Sequence, residues 1–377
     1  MKLPFLSNVG NFFPKLRART EQEPSKGRPF RVVQIEVTSR CSTGCVFCPH
    51  DALSDRWVEG DISLALYGER IAPHLDLFDL VYLQGWGEPM LHPDLWDMLA
   101  MAQEKGCRTG FTTNGAWLEG ERNERLLGMG VDMISVSFAG TAAPVHETLR
   151  TNSNFAQLCA NFETLANLKN QRGCEHPWLE LHFLMTRDNM SEFPALVKLA
   201  ASLGADEMVA TNLTYSPSLE LDCKHIFSEQ PLPEDLEVIA QARQNAERLR
   251  LPLRVYPLQA EANTLICDAD PVNTVYINHR GDITPCVYLG LTVQGQIPRF
   301  YRGEFHPFDT MSFGTISTGL DQALFGSERE TFISTFKRRN VGNNPLAMFA
   351  YMTDEDRETE LPLPPVPCRH CYKMLGV

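Results

Sequence analysis

Between about residue 30 and residue 215 the chain alternates short apolar or β-branched runs with stretches whose apolar residues recur at helical spacing. That alternation is the pattern of βα units and a parallel sheet. Strands are predicted over 31–39, 80–85, 108–113, 133–139, 178–186 and 207–213, each followed by a plausible helix. The clearest helix starts near residue 155, where Phe155, Leu158, Cys159, Phe162, Leu165 and Leu168 define one apolar stripe. Cys159 lies in that stripe and reads as a buried small hydrophobe. Another helix is predicted from Pro233 and a short strand in LRVYPL, after which the βα rhythm stops near residue 260.

Several predicted strands alternate polar with apolar residues. Gln34, Glu36 and Thr38 share one face opposite Val33, Ile35 and Val37, and Tyr82 with Gln84, Ser135 with Ser137, and Glu180 with His182 repeat the arrangement. A filled barrel interior would be dominated by Val, Ile and Leu, and a helix-covered doubly wound sheet would read as continuous apolar runs. A polar inner face points instead to a hollow sheet that holds ligands; surface alternation on an antiparallel sheet is the alternative. The expected fold class is α/β: a partial (β/α)6 TIM-like open barrel over 30–259, an N-terminal extension over 1–29, and a small cysteine-rich α+β module over 260–377.

Charge and cysteine usage narrow the function. The chain has 34 basic against 47 acidic residues, a formal net charge of −13, which argues against a nucleic-acid binder that tracks phosphates. The opening MKLPFLSNVGNFFPKLRAR is interrupted before a signal-peptide core forms, and no apolar run approaches a membrane span. A soluble cytoplasmic protein with no membrane partner is therefore expected. The 11 cysteines are odd in number, and without an export signal they read as core fillers, metal ligands or nucleophiles rather than a disulfide framework.

RCSTGCVFCPH places Cys41, Cys45 and Cys48 in a C-x3-C-x2-C array directly after the first strand, where α/β folds put their active sites. Ser42, Thr43 and Gly44 let the loop fold around a metal. Three thiolates can hold three irons of a [4Fe-4S] cube and leave the fourth open for a chelating small molecule. Zinc with His50 as a fourth ligand is the alternative.

This triad, with Phe47 before its last cysteine, resembles the signature of the radical S-adenosylmethionine (AdoMet) enzymes. In GWGEP, Gly87 and Glu88 are similar to that family's glycine-glycine-glutamate segment, which contacts the AdoMet amino group; Trp86 stands where a glycine is more usual. The resemblance extends to TNG at 113–115 with Asn114, to SVSFAGT, whose Ser137 it places on the ribose, and to Arg187, which it pairs with the AdoMet carboxylate. Ala139 replaces an aspartate common in relatives. The resemblance implies a cluster that reductively cleaves AdoMet to a 5′-deoxyadenosyl radical, which abstracts hydrogen from a substrate, with a flavodoxin or ferredoxin-type reductant.

Cys267, Gly281 and Cys286 are spaced as in the opening of SPASM and twitch modules, and YINHRGDITPC reads as a hairpin turning at Gly281. With the C-x2-C pair Cys368 and Cys371 they supply the thiolates for one auxiliary [4Fe-4S] cluster or, alternatively, for structural zinc. The FGTI and FISTFKRR segments between them read as a strand and a helix. Cys107, Cys174 and Cys223 match nothing and are taken as core or surface thiols. A fully ligated auxiliary cluster favours net oxidation or a crosslink, on a small molecule or a peptide, and the residues before the first strand are too few for a leader-binding domain. GWGEP and the CYK-containing tail are similar to proteins that assist tungsten-cofactor oxidoreductases. Candidate acid or base groups are Glu36, His182, Asp268, Asp270, His279 and Tyr288. An electron carrier and a zinc-organised binding module are the alternatives in other functional classes.

Overall fold

The computed structural model describes residues 27–341 and 361–377. Most of the expected N-terminal extension therefore lies outside the described residues. The strands of the main sheet are β1 (Phe30–Ile35), β2 (Phe78–Tyr82), β3 (Arg108–Thr113), β4 (Met133–Phe138), β5 (Trp178–Met185), β6 (Glu207–Asn212), β7 (Leu253–Val255), β8 (Thr274–Ile277), β9 (Asp282–Thr284) and β10 (Gly314–Thr315). They form one 10-stranded sheet in the order β10-β9-β8-β1-β2-β3-β4-β5-β6-β7. β1 to β8 all run parallel, with β8 paired to the free side of β1, and β9 and β10 add antiparallel. The sheet is mixed α/β with a large parallel core, as the βα rhythm predicts.

Two features depart from the expected architecture. The region past residue 260 does not stand apart, because β8 to β10 extend the same sheet. The parallel part also has two more strands than the six long runs predict. One is the short LRV run of β7; the other, β8, joins β1 over more than 230 positions of chain, in register Val33 with Val275, and no local periodicity signals that pairing. β7 and β8 follow one another in the chain yet sit at opposite ends of the parallel series. Residues 256–273 span that seam.

Helices cover the outer face: α1 (Leu95–Glu104), α2 (Gly120–Met129), α3 (Ala143–Leu149), α4 (Phe155–Gln171), α5 (Phe193–Ser202) and α6 (Pro233–Leu249). Asn154 caps α4 by accepting from the Gln157 N–H at 2.9 Å, and Gly130 ends α2 in the left-handed conformation that glycine adopts without strain. The core lies between sheet and helices. Val33, Ile35, Val81, Phe111, Ile134, Leu181 and Phe183 are fully buried against Leu99, Phe162, Leu165 and Val197, each contributing about 1.5–3 kcal/mol of hydrophobic stabilisation. Cys159 is a correction: it is half-buried at the flank of the α4 stripe, whose centre is Leu158, Phe162 and Leu165. Among the described residues no helix is long and apolar enough to cross a membrane.

Candidate active site

The inner face of the sheet encloses a cavity of about 1020 Å³. Tyr82, Gln84, Ser135, Ser137, Glu180 and His182 line it, as the polar alternation predicts. Gln34, Glu36 and Thr38 do not. Cys41, Cys45 and Cys48 stand at the end of the cavity formed by the carboxyl ends of the strands, and Arg28, Arg31 and Arg108 at the amino ends.

The cysteine loop is held from both sides. Ser39 Oγ donates to Val58 O at 3.1 Å and Trp57 Nε1 donates to Ser39 O at 3.1 Å. Gly44–Cys45 pairs antiparallel with Arg150–Thr151, which carries Arg150 into the site although nothing in its local sequence marks it. Its Nη1 lies 3.5 Å from Cys45 Sγ and its guanidinium 5.6 Å from the centre of the Phe47 ring. Burial pushes the Cys41 and Cys48 thiols up, and the neighbouring cysteines add to the rise; loss of the protons therefore needs a cationic partner. His50 lines the cavity but its Nε2 lies 3.9 Å from Glu59 Oε1 and its ring meets Trp57 edge-on.

Glu88 is 2% exposed. Its carboxylate accepts from Met90 N at 3.1 Å, Thr113 Oγ1 at 2.8 Å and Asn114 N at 2.7 Å. Burial raises its pKa while those donors oppose the rise. The glycines before it are required by space: a Cβ on Gly87 would lie 2.2 Å from Thr38 O, and one on Gly85 2.3 Å from Glu36 Cγ. Trp86, the departure from the family pattern, is accommodated because its ring stacks on Tyr288 at 5.8 Å and its Nε1 donates to Val287 O at 3.2 Å. Asn114 and Ser137 line the cavity beside Glu88, and Asn161 of α4 pins the Asn114 loop by donating to Gly115 O at 3.0 Å.

Other candidates are relocated. Arg187 is absent from the cavity wall; its Nη1 pairs with Asp235 at 2.5 Å and its Nε donates to His225 O at 3.1 Å, so Arg150 is the arginine at the cysteine end. Glu36 is behind the wall, where it accepts from Trp86 N at 2.9 Å and His279 N at 3.2 Å and pairs with His279 Nδ1 at 3.0 Å. Asp268 pairs with Lys373 at 2.6 Å and Asp270 with Arg31 at 3.2 Å. These four acid or base candidates, Glu36, Asp268, Asp270 and His279, hold structure together away from the cavity surface. His182 and Tyr288 do line it. His182 Nε2 is 3.1 Å from Thr211 Oγ1, and burial, helped by Arg150 and Arg254, brings its pKa down to about 4. Tyr288 Oη is 2.8 Å from Thr214 Oγ1.

Four lining residues carry a buried polar atom with no hydrogen-bond partner: Asn114 Nδ2, Arg150 Nε, Asn212 Oδ1 and Arg254 Nε. Such atoms are costly unless a ligand satisfies them; those of Asn114, Arg150 and Asn212 lie toward the end of the cavity where AdoMet is expected, and that of Arg254 lies away from it. Sequence reasoning missed Arg150 and Asn212; the only available signal for Asn212 is its TN pair at a strand end, like that of Asn114.

The second set of cysteines gathers at the seam. Cys267 is in the spanning stretch, Cys286 follows β9, and Cys368 and Cys371 come from the tail, which Lys373 ties to Asp268. Gly281, at φ 83°, makes the expected turn between β8 and β9. Burial raises the Cys267 and Cys368 thiols, with contributions from Cys286 and Cys371, and brings Cys286 to about 11. Among the described residues no three His, Cys, Asp or Glu side chains lie close enough to hold a single metal ion, whereas tetrahedral zinc needs sulfurs only about 3.8 Å apart.

Residues 35–200 match the family model of the Radical SAM superfamily. These residues are similar to a radical SAM domain. The match implies a [4Fe-4S] cluster and AdoMet, and the orphaned polar atoms and the three thiols of the cysteine loop fit both. The chain is 26% identical over 309 residues to the tungsten-containing aldehyde ferredoxin oxidoreductase cofactor-modifying protein of Pyrococcus furiosus, covering 80% of this chain and 82% of that one. It is 24% identical over 285 residues to the AdoMet-dependent heme synthase of Oleidesulfovibrio alaskensis, covering 69% and 70%. The fold resembles that of Streptococcus suis SuiB bound to S-adenosylmethionine, with a TM-score of 0.58 at 13% identity, covering 92% of this chain and 70% of that one.

Proposed function

We propose that this chain is a radical SAM enzyme in which Cys41, Cys45 and Cys48 hold a [4Fe-4S] cluster with one iron left to AdoMet, and Cys267, Cys286, Cys368 and Cys371 close an auxiliary [4Fe-4S] cluster. We read its sheet as an opened TIM-like barrel over 30–259 and the region over 260–377 as a SPASM/twitch-like module whose first strands lengthen that sheet. The observation that carries the proposal is three thiols from one loop at the strand-end mouth of the cavity, beside Arg150 and Glu88, with His50 turned toward Glu59.

When bound, the first cluster supplies the electron that splits AdoMet into methionine and a 5′-deoxyadenosyl radical able to take hydrogen from a substrate. The protein positions the reactants and excludes water. Glu88, fixed by three donors, receives the AdoMet ammonium without having to reorient, and Arg150 takes over the carboxylate role that the resemblance assigns to Arg187. Ser137 and Asn114 serve the ribose end. Tyr288 lies between this site and Cys286, and a substrate against it is near both sets of cysteines, which favours net oxidation or a crosslink of a small molecule or peptide. A flavodoxin or ferredoxin-type protein is the expected electron donor.

Anaerobic reconstitution tests this reading. About eight irons per chain are expected, two cubes' worth, with dithionite-dependent formation of 5′-deoxyadenosine that Cys45→Ala abolishes. A colourless, zinc-bearing protein would overturn the proposal in favour of a binding module. Clusters that never yield 5′-deoxyadenosine would favour an electron carrier.

A further inference from the structure

The cavity differs in charge from the molecule around it. The chain carries a net −13, yet the charged side chains lining the cavity are five arginines, Arg28, Arg31, Arg108, Arg150 and Arg254, against Asp79, Glu88 and Glu180. A cationic cavity in an anionic protein concentrates anions at that one place. Most of these arginines have other work: Arg28 donates to the Lys105 and Gly106 carbonyls, Arg31 pairs with Asp270, and Arg150 stands at the cysteine end.

Arg254 is different. It projects from β7, and its Nη2 donates to Glu180 Oε2 at 3.3 Å while its Nε faces Glu207 Oε1 at 3.7 Å. Both carboxylates are held in turn, Glu180 by Ser135 Oγ at 2.7 Å and Glu207 by Trp178 Nε1 at 3.3 Å. The carboxylate side chains are 7% and 10% exposed, whereas that of Arg254 is 41% exposed. What a ligand meets is thus chiefly the guanidinium, oriented by Glu180 on the cavity wall and by Glu207 behind it. Glu180 and Glu207 occupy paired positions on β5 and β6. Burial raises both pKa values and Arg254 opposes the rise in each, while Glu180 adds to that of Glu207.

We propose that Arg254 is the substrate anchor of this cavity and that the substrate class is an organic acid whose carboxylate it binds, at a distance from the cysteine loop. The inference rests on the radical SAM reading only for placing AdoMet at the other end. Tyr82, Thr211 and His182, held neutral by its burial, line the wall between and offer uncharged polar contacts.

Fluorine NMR on the anaerobically reconstituted full chain with AdoMet, using para-trifluoromethylbenzoate, its primary amide and para-trifluoromethylbenzylamine as probes, tests the proposal. The benzoate is expected to bind tighter than the amide and the amine, and Arg254→Gln to weaken it at least about tenfold, the effect of one lost charge-assisted hydrogen bond. Arg254→Lys retains part of that affinity, and AdoMet binding is unchanged in both variants, which also reports that they fold. A preference for the amine, no preference for the carboxylate, or a benzoate that responds to Arg150→Gln but not to Arg254→Gln overturns the proposal. If the wild type neither binds AdoMet nor forms 5′-deoxyadenosine, the radical SAM reading fails, while the probe series still decides the role of Arg254.

Discussion

Arg150 lines the cavity where the sequence pointed to Arg187, and the reason is pairing at each site. Arg187 follows β5 where the resemblance asks for a carboxylate partner, but Asp235 of α6, 5% exposed, captures it. Arg150 reaches the cysteine loop through the short Gly44–Cys45 and Arg150–Thr151 pairing. Arg150→Gln is expected to weaken AdoMet binding by about tenfold, the scale of one charge-assisted hydrogen bond, as read by isothermal titration on the reconstituted protein. Arg187→Gln should leave that affinity unchanged and instead lower unfolding free energy by about 1–3 kcal/mol, because Asp235 is left buried without its partner. Equal losses of AdoMet affinity in both variants would contradict this assignment.

At the scale of elements, the GWGEP turn depends on what packs beneath it. Glu36 at the end of β1 accepts from Trp86 N and from His279, so one carboxylate ties the turn after β2 to the turn after β8. Glu36→Ala leaves these donors buried without an acceptor and is expected to cost about 3 kcal/mol, measurable by chemical denaturation. A catalytic acid or base at this position would instead give a folded, inactive protein of ordinary stability. Gly87→Ala forces a Cβ to within 2.2 Å of Thr38 O and 2.7 Å of Arg40 O. Displacing that backbone is expected to cost about 1–3 kcal/mol and to reduce both AdoMet binding and iron retention, since Thr38 and Arg40 lead directly into Cys41. Wild-type iron content and affinity in that variant would show that the turn tolerates a side chain.

For the whole molecule, stability is tied to pH through buried histidines. Burial brings His146, His182 and His225 down to about 4, below the value of about 6.5 of an exposed imidazole. Between those values the unfolded chain binds protons that the folded one refuses, so each histidine's contribution falls as pH drops from 6.5 toward 4. The raised carboxyls of Glu88, Glu180 and Glu207 act in the opposite sense, so the test is a difference. His146, whose Nδ1 accepts from Ala139 N at 3.2 Å, is the cleanest site. His146→Gln should make the unfolding free energy less steep in pH by about 1 kcal/mol per unit across that window, and an unchanged slope would refute the link. The sequence by itself determined the features that local chemistry decides: the strands from β1 to β6, the α4 stripe, the Gly281 turn, the polar inner face, and the cysteine triad with Glu88 beside it. These rest on side-chain period, backbone freedom and ligand spacing, which act over a few residues. Only the tertiary structure decided that β8 joins β1, that Arg150 rather than Arg187 enters the site, that Glu36 lies behind the wall, and that Arg254 stands before two buried carboxylates. Each depends on partners brought together by sheet register across long stretches of chain, and neither the period nor the spacing of any one segment encodes which distant charge will arrive first.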